Sequence, residues 1–212
     1  IEPTKLINSS AYYSFDANTK TLTISGKGRT PNFTNSSGDT TSQPWFYWRS
    51  DGSIEHIVVE DGITSLGNYF FYGVSCTDIK LADSIESIGG YAFSGAQIEH
   101  IKLPDKLKYI NNDAFYFCDN LKEIVFPKSI SSIGTSAFEN CSVLSKVNFK
   151  AMGNELTISS RAFFKCPLLK RVDVPSLAKL SKYSFGYEKA SVDGTYDGFT
   201  LGVYSGSKAY NY

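Results

Sequence analysis

Residues 121–141, LKEIVFPKSISSIGTSAFENC, carry the pattern that decides the fold of this chain. Three apolar residues, Leu121, Ile124 and Phe126, are followed by a second apolar pair and then by the dipeptide Ala137-Phe138. Polar residues occupy most of the positions in between. A unit of this length has one apolar side that it cannot bury alone, so it has to pack against similar units.

The same pattern occurs six times along the chain. Six dipeptides end in a phenylalanine, spaced 22 to 25 residues apart: Phe71, Phe93, Phe115, Phe138, Phe163 and Phe185. An apolar triplet precedes each of them: Ile54/Ile57/Val59, Cys76/Ile79/Leu81, Ile98/Ile101/Leu103, Leu121/Ile124/Phe126, Leu144/Val147/Phe149 and Leu169/Val172/Val174. The fifth repeat also contains an insertion at residues 151–155. The chain is therefore predicted to be a tandem repeat.

Stacking of the repeats accounts for the pattern. The last part of each triplet alternates apolar and polar residues, which is typical of a half-buried β-strand. In a stack these strands form a parallel sheet with neighbours about 4.8 Å apart, and the phenylalanines form an internal column. Proline follows the triplet at positions 104, 127 and 175 and ends the strand because it has no N–H group. Gly67, Gly89 and Gly134 follow the second apolar pair and are predicted to permit a tight turn.

The consensus I-x-x-I-x-L-P-x-x-I-x-x-I-G-x-x-A-F-x-x-C resembles the BspA-like (Treponema pallidum type) leucine-rich repeats of bacterial surface proteins. Residues 101–115 and 124–141 carry the resemblance most clearly, and it covers residues 54–185. It implies a β-rich leucine-rich-repeat solenoid, with a parallel β-sheet on one face and short turns or helical segments on the other. It also implies a surface protein of the adhesin type.

The two ends are predicted to differ from the repeats. Residues 1–53 are expected to form an N-terminal cap with a β-hairpin, because residues 11–16 and 21–27 alternate around a polar turn. Residues 54–190 hold the six repeats, and residues 191–212 resemble the terminal half-repeat of the family. The start at Ile1 rather than Met predicts a processed or trimmed chain; removal of a signal peptide would produce such a start, and so would artificial trimming. A secreted or cell-surface monomer is expected, and a continuation beyond Tyr212 into an anchor stays open.

The outward positions of the triplet strands are the candidate binding residues. They are His56, Asp78, Lys80, His100, Lys102, Lys122, Lys146 and Arg171. Acidic residues predominate in the first three repeats and basic residues in the last three, so this face would steer a charged partner. The alternative is an ordinary solvated face. The stripe His56, Asp78, His100 has the chemistry of a metal site, but its histidines would lie about 10 Å apart, so no metal or cofactor is predicted.

Two further columns have a structural interpretation and a functional one. Cys118, Cys141 and Cys166 recur three residues after the phenylalanine, and buried free thiols are favoured over a disulfide or metal site. Six aromatic residues flank the core phenylalanines: Tyr69, Tyr72, Tyr91, Tyr116, Phe164 and Tyr183. Tyrosine is common in protein and sugar recognition, but padding of the turns is the favoured interpretation.

Charge and motifs restrict the function. The 21 basic and 21 acidic residues balance, which argues against nucleic acid as a partner. No apolar run is long enough for membrane insertion, and no motif of a known catalytic centre occurs. The family resemblance, to which these absences add, therefore implies a non-enzymatic adhesin that binds a host protein, a matrix component or a glycan. The alternatives are a spacer module that presents another domain or anchor, and a polysaccharide-active enzyme with carboxylates clustered in one column.

Overall fold

A computed structural model describes residues 2–33, 42–150, 154–186 and 199–203. Within these ranges every regular element is a β-strand, so the predicted helical segments are wrong for this part of the chain. The strands are β1 (Thr4–Lys5), β2 (Ala11–Asp16), β3 (Thr21–Gly26), β4 (Gly28–Arg29), β5 (His56–Val59), β6 (Ile63–Leu66), β7 (Asp78–Lys80), β8 (Ser87–Ile88), β9 (Tyr109–Ile110), β10 (Glu123–Phe126), β11 (Ser132–Ile133), β12 (Lys146–Phe149), β13 (Leu156–Ile158), β14 (Phe163–Phe164), β15 (Arg171–Val174), β16 (Ala178–Leu180), β17 (Phe185–Gly186) and β18 (Thr200–Val203).

Each repeat forms one layer of the stack, which we call a rung. The triplets of rungs 1, 2, 4, 5 and 6 form β5, β7, β10, β12 and β15. β5 and β7 pair parallel and in register, with Ile57 opposite Ile79, and so do β10 and β12, with Ile124 opposite Val147. β12 and β15 lie on consecutive rungs but belong to separate sheets. The triplet side chains point inward and are buried, whereas the residues between them are exposed or half-buried. We call the outer surface of these strands the triplet face.

A second parallel sheet was not foreseen from the sequence. The second apolar pair of each repeat contributes to a seven-stranded sheet in the order β16-β13-β11-β9-β8-β6-β4. In this sheet Ile88, Ile110 and Ile133 occupy equivalent positions on consecutive rungs, and each is fully or almost fully buried. Apolar side chains therefore enter the core from two sheets, and most rungs are held together on two sides.

The predicted phenylalanine column is confirmed. The Phe115 ring stacks on Phe93 with centroids 5.1 Å apart and on Phe138 with centroids 4.9 Å apart. The column runs from Phe71 to Phe185 with every centroid separation between 4.9 and 5.5 Å. The adjoining main chain forms a third ladder, in which the Phe115 N–H donates to the Ala137 carbonyl at 2.7 Å. Aromatic stacking and backbone hydrogen bonds thus act at the same positions.

Turns surround the phenylalanine in place of the predicted helical segments. The residue two positions before it has a positive φ on every rung, as at Tyr91 (55°) and Asp113 (58°). The residue two positions after it is also left-handed on the first five rungs, as at Gly95 (68°) and Phe117 (56°). Two left-handed residues so close together prevent a helix, because a right-handed helix requires negative φ throughout.

The predicted N-terminal β-hairpin is present. β2 and β3 pair antiparallel from Ala11 opposite Gly26 to Asp16 opposite Thr21, and β3 then pairs parallel with β5. Trp45 is fully buried beside these strands, with its ring 5.1 Å from Phe70 and 5.4 Å from Phe33. At the other end β18 pairs with β15. The rest of the predicted C-terminal half-repeat lies outside the described residues.

The cysteines are buried and unpaired, as the sequence predicts. The thiols of Cys118, Cys141 and Cys166 each lie 3.0 to 3.2 Å from the carbonyl oxygen of a phenylalanine on the preceding rung. Burial raises the pKa of Cys118 and Cys141 well above the usual range, and burial with the nearby Asp78 charge raises that of Cys76 to about 12. The reactive thiolate of Cys76, Cys118 and Cys141 is therefore suppressed in the folded chain.

We expect the four cysteines to be inert toward a thiol reagent in the native protein. In the folded chain at mildly alkaline pH, 5,5′-dithiobis(2-nitrobenzoate) should react only as fast as the protein opens. In denaturant all four thiols should react at once. Release of thionitrobenzoate, followed by absorbance, measures both rates. Rapid native reaction of any cysteine would contradict the burial of that rung.

Candidate binding face

The eight predicted binding residues all lie on the triplet face. Six of them have side-chain exposures between 42% and 65%: His56, Asp78, His100, Lys122, Lys146 and Arg171. Lys80 and Lys102 are also exposed. Their placement follows from strand alternation, because residues next to buried triplet positions point to the opposite side.

The histidines behave differently from one another. The His56 Nδ1 atom contacts the Asp78 carboxylate of the next rung, and the two residues lie directly opposite in the β5–β7 pair. His100 instead lies 4.0 Å from Glu99 of its own rung. No group of three or more metal-ligating side chains occurs in the described part of the chain. The structure therefore brings two members of the His56, Asp78, His100 stripe together and leaves the third aside.

The basic half of the face is joined to carboxylates on preceding rungs. Lys122 Nζ lies 2.7 Å from Glu99 Oε2, and Lys146 Nζ lies 3.6 Å from Glu123 Oε2. The hydrogen bond from Lys122 lowers the pKa of Glu99, so this pair is ionised at neutral pH. Arg171 contacts Asp173 within its own strand. These pairs hold the charges in fixed places and reduce the net positive charge of this half, although exposed pairs stabilise the fold only weakly.

Lys80 and Lys102 have no such partners. Neither lysine forms an ion pair within the residues that the structure describes, although both belong to the middle of the triplet face. They occupy the same repeat position on rungs 2 and 3. Like charges at neighbouring positions of two strands repel each other.

The triplet face is interrupted at the rung that carries Lys102. Residues 98–103 are not a strand, and residues 101–103 neither donate nor accept a backbone hydrogen bond to the described chain. A shallow groove of about 580 Å³ runs across the ends of β5, β7 and this segment, and one of about 420 Å³ is lined by this segment, β10 and Lys150. Lys80 and Lys102 line the first groove, and His100, Lys102 and Lys150 line the second.

Comparison with known proteins identifies the repeat. A family model described as the BspA type leucine rich repeat region, in six copies, matches residues 42–169. The chain belongs to this BspA-type leucine-rich repeat family. The resemblance read from the triplets and the Ala-Phe dipeptides is thereby confirmed. No curated protein matches this BspA-type chain.

Solved structures share the fold. A leucine-rich repeat protein from Eubacterium ventriosum is 21% identical, with a TM-score of 0.59 over 94% of this chain and 43% of that structure. A leucine rich cell surface protein from Faecalibacterium prausnitzii is 18% identical, with a TM-score of 0.56 over 88% of this chain and 52% of that one. A leucine-rich repeat protein from Bacteroides ovatus is 20% identical, with a TM-score of 0.53 over 97% and 58%. The BspA-type chain spans about half the length of these structures, and the likeness shows the leucine-rich-repeat fold.

One buried charge was missed by the sequence analysis. Glu139 is only 4% exposed and lies beside the phenylalanine column, where it accepts hydrogen bonds from Ser136 Oγ at 2.6 Å and Arg161 Nε at 2.9 Å. Burial raises the pKa of Glu139, but the bonds from Arg161 and Ser136 outweigh it, and the pKa is lowered overall. Arg161 follows Glu139 by one repeat. An acidic and a basic residue one repeat apart are expected to meet on neighbouring rungs, so this spacing could have predicted the pair.

Replacing Arg161 with Met should destabilise the protein at neutral pH. The change removes the hydrogen bonds that hold a buried carboxylate, which is worth about 1–2 kcal/mol for a pair with one partly exposed member. Because the folded pKa of Glu139 is lowered, the wild-type advantage is complete above the unfolded pKa and disappears as pH falls through the folded pKa. Chemical unfolding at neutral and acidic pH measures this difference. Arg171→Met, at an exposed pair, is the control, and a pH-independent loss in Arg161→Met would contradict the assignment.

Three of the flanking aromatic residues, Tyr69, Tyr72 and Tyr91, pack against one another, and the others contact neighbouring side chains. The rings of Tyr69 and Tyr91 are stacked with centroids 4.6 Å apart, and the Arg161 guanidinium lies 4.4 Å from the Phe164 ring centroid. Burial, followed by the Asp113 charge and hydrogen bond, raises the pKa of Tyr91 to about 12. These contacts agree with the padding interpretation.

No helix in the described ranges of the BspA-type chain is long and apolar enough to cross a membrane.

Proposed function

We propose that the chain is a cell-surface binding module, an adhesin, that contacts a host protein, a matrix component or a glycan through the triplet face. The observation that carries the proposal is the row of exposed charged side chains on successive rungs. Lys122, Lys146 and Arg171 are between 54% and 63% exposed and stand on a stacked, parallel framework. A framework of this kind presents charges with little loss of conformational entropy on binding, which favours affinity.

Membership of a leucine-rich-repeat family supports a binding role rather than catalysis. A surface location is supported by the Faecalibacterium prausnitzii relative, which is described as a cell surface protein. The N-terminal hairpin supports the predicted cap, because β3 continues the sheet beyond β5 and Leu22 and Ile24 are fully buried there. Such a cap covers the apolar end of the stack, which repeat proteins need for solubility.

The test is a binding screen against immobilised matrix proteins, mucins and a glycan array. Wild type is compared with Lys122→Glu/Lys146→Glu/Arg171→Glu at low and physiological salt. We expect salt-sensitive binding that the triple variant loses, because charge steers the encounter and salt screens it. Two of these changes place like charges opposite Glu99 and Glu123. Each variant's unfolding midpoint is therefore measured as a check on folding.

The matched control is Lys5→Glu/Lys128→Glu/Lys182→Glu, which makes the same change in charge at exposed positions outside the triplet strands. Binding that survives in the control and fails in the first variant supports the basic half as the site. Binding that survives in both moves the site elsewhere on the chain. No binding to any surface would favour the spacer module.

A further inference from the structure

A row of mostly uncharged side chains crosses the outer surface of the seven-stranded sheet, which we call the pair face. The row follows one register position over five strands, and its members are Ser87, Tyr109, Ser132, Thr157 and Lys179. Lys179, at the end of the row, pairs with Glu155 at 2.7 Å. The adjoining residues Glu86 and Lys108 pair with each other at 2.8 Å. The charge of the pair face therefore matches an uncharged ligand better than a charged one.

Tyr109 is an isolated aromatic ring in the middle of this row. The residue is 49% exposed, and its side chain makes no hydrogen bond or ring contact with the residues that the structure describes. Its neighbours in register are Ser87 and Ser132, whose short side chains leave much of the ring uncovered. A flat ligand can therefore pack against the ring of Tyr109 without moving another side chain.

Polar groups without partners lie beside the ring. The hydroxyl groups of Ser132 and Thr157 form no hydrogen bond within the described ranges of the chain. Asn111, exposed two residues after Tyr109, donates from its amide nitrogen to the Ile88 carbonyl at 2.8 Å and leaves its Oδ1 atom free to accept. Ser132 and Thr157 stand on the next two strands, about 4.8 Å apart. Hydrogen-bonding groups thus continue the line that begins at the ring.

We propose that the pair face binds an uncharged glycan chain that runs along the stack. One pyranose packs against the ring of Tyr109, whose negatively polarised face attracts the C–H groups of the sugar. Asn111 accepts a hydrogen bond from the same sugar, and the hydroxyl groups of Ser132 and Thr157 bond to the sugars that follow. A pyranose in an extended chain is close in length to the strand spacing of about 4.8 Å, so each rung meets one sugar.

A glycan is favoured over a peptide because the main chain under this row is already paired. β8, β9 and β11 each have a hydrogen-bonded strand on both sides, so they offer no edge to a further strand. Tyrosine beside serine and asparagine combines a large rigid contact with adaptable hydrogen bonds. The inference goes beyond the proposed function, because it adds a second site with a neutral ligand on a different face from the charged one.

The probes are cellohexaose, xylohexaose and chitohexaose, each titrated into the full chain by isothermal titration calorimetry. We expect saturable binding of at least one of them, weakened about tenfold or more in Tyr109→Ser, as for other tyrosines at the centre of a binding site. Serine occupies the same position on the two neighbouring strands, so this variant should keep the strand intact. Tyr109→Phe keeps the ring and should still bind. Tyr47→Ser is the control, because it removes an 80% exposed tyrosine outside the sheet and should bind as wild type.

Two further measurements separate this site from binding at the triplet face. Thr157→Val keeps the shape of the side chain but removes its hydroxyl group, and should weaken binding by about twofold to tenfold. Added salt should leave the affinity unchanged, because the ligand carries no charge to screen. No binding of any hexasaccharide at millimolar concentration, equal binding by Tyr109→Ser, or salt-sensitive binding would each overturn the proposal. Matrix-protein binding that Tyr109→Ser loses, with no hexasaccharide bound, would also overturn it. The charge-reversal screen concerns other residues, so either proposal can fail while the other stands.

Discussion

Phe115→Ala is expected to lower the free energy of unfolding by about 3–5 kcal/mol, the usual loss for a buried phenylalanine. Phe115 is fully buried and stacks on rings above and below, 5.1 Å from Phe93 and 4.9 Å from Phe138. The neighbouring rungs cannot collapse into the vacated space, because backbone ladders on each side keep their separation. The cavity therefore persists, and the two adjoining rings lose their stacking partner together.

Urea unfolding followed by circular dichroism measures the loss. The control is Phe117→Ala, because Phe117 lies two residues further on but its side chain is 45% exposed. This control should change stability by less than about 0.5 kcal/mol, as substitutions away from the core usually do. Similar losses in the two variants would show that Phe115 is not in the core. A lower slope of unfolding free energy with urea in Phe115→Ala would indicate that the stack has divided into separately unfolding parts.

The triplets and the phenylalanine column could be predicted because they are repeated. Leu121, Ile124, Phe126 and Phe138 each stand at a position that other repeats fill with similar apolar residues. Such recurrence identifies a buried side chain without any knowledge of its contacts. The outward positions follow by alternation, so the exposed places of His100 and the other candidate residues were predictable as well.

The second sheet could not be predicted in the same way. Its strands are as short as Ser87–Ile88, too short for the alternation that identifies a strand. Their hydrogen bonds go to residues one repeat away, so local sequence contains little trace of them. The turns that replaced the helical segments share this difficulty, because tyrosine, aspartate, serine and arginine all adopt the left-handed conformation at the same repeat position.

The charged residues of the candidate site and their pairing between rungs were predictable, whereas the absence of a strand on the third rung was not. Lys122 and Glu99 are about one repeat apart, so their contact follows from the stack. The absence of a strand at residues 98–103 could not be predicted in this way, since Ile101 and Leu103 resemble the residues of any other triplet.

Gly89→Ala is expected to destabilise the protein by an amount near the top of the range of about 1–3 kcal/mol that overpacking causes. The sequence suggested that Gly89 permits a tight turn, but its φ is not positive. Its importance lies in the approach of two rungs. An added Cβ atom would lie 2.5 Å from the carbonyl carbon of Gly67 and 2.7 Å from the amide nitrogen of Asn68. Both are backbone atoms, so the rungs must separate.

Gly90→Ala is the matched control, one residue further on. Its added Cβ atom would lie 3.3 Å from the nearest atom, the Asn112 carbonyl oxygen, so a small shift accommodates it. Alanine also restricts the unfolded chain and contributes about 0.4–1 kcal/mol where the backbone fits, so Gly90→Ala should leave stability nearly unchanged. The urea midpoints of the two variants measure the difference in stability between them. If Gly89→Ala were as stable as Gly90→Ala, the close approach of these rungs would be wrong, because no side-chain motion can relieve contact between two backbones.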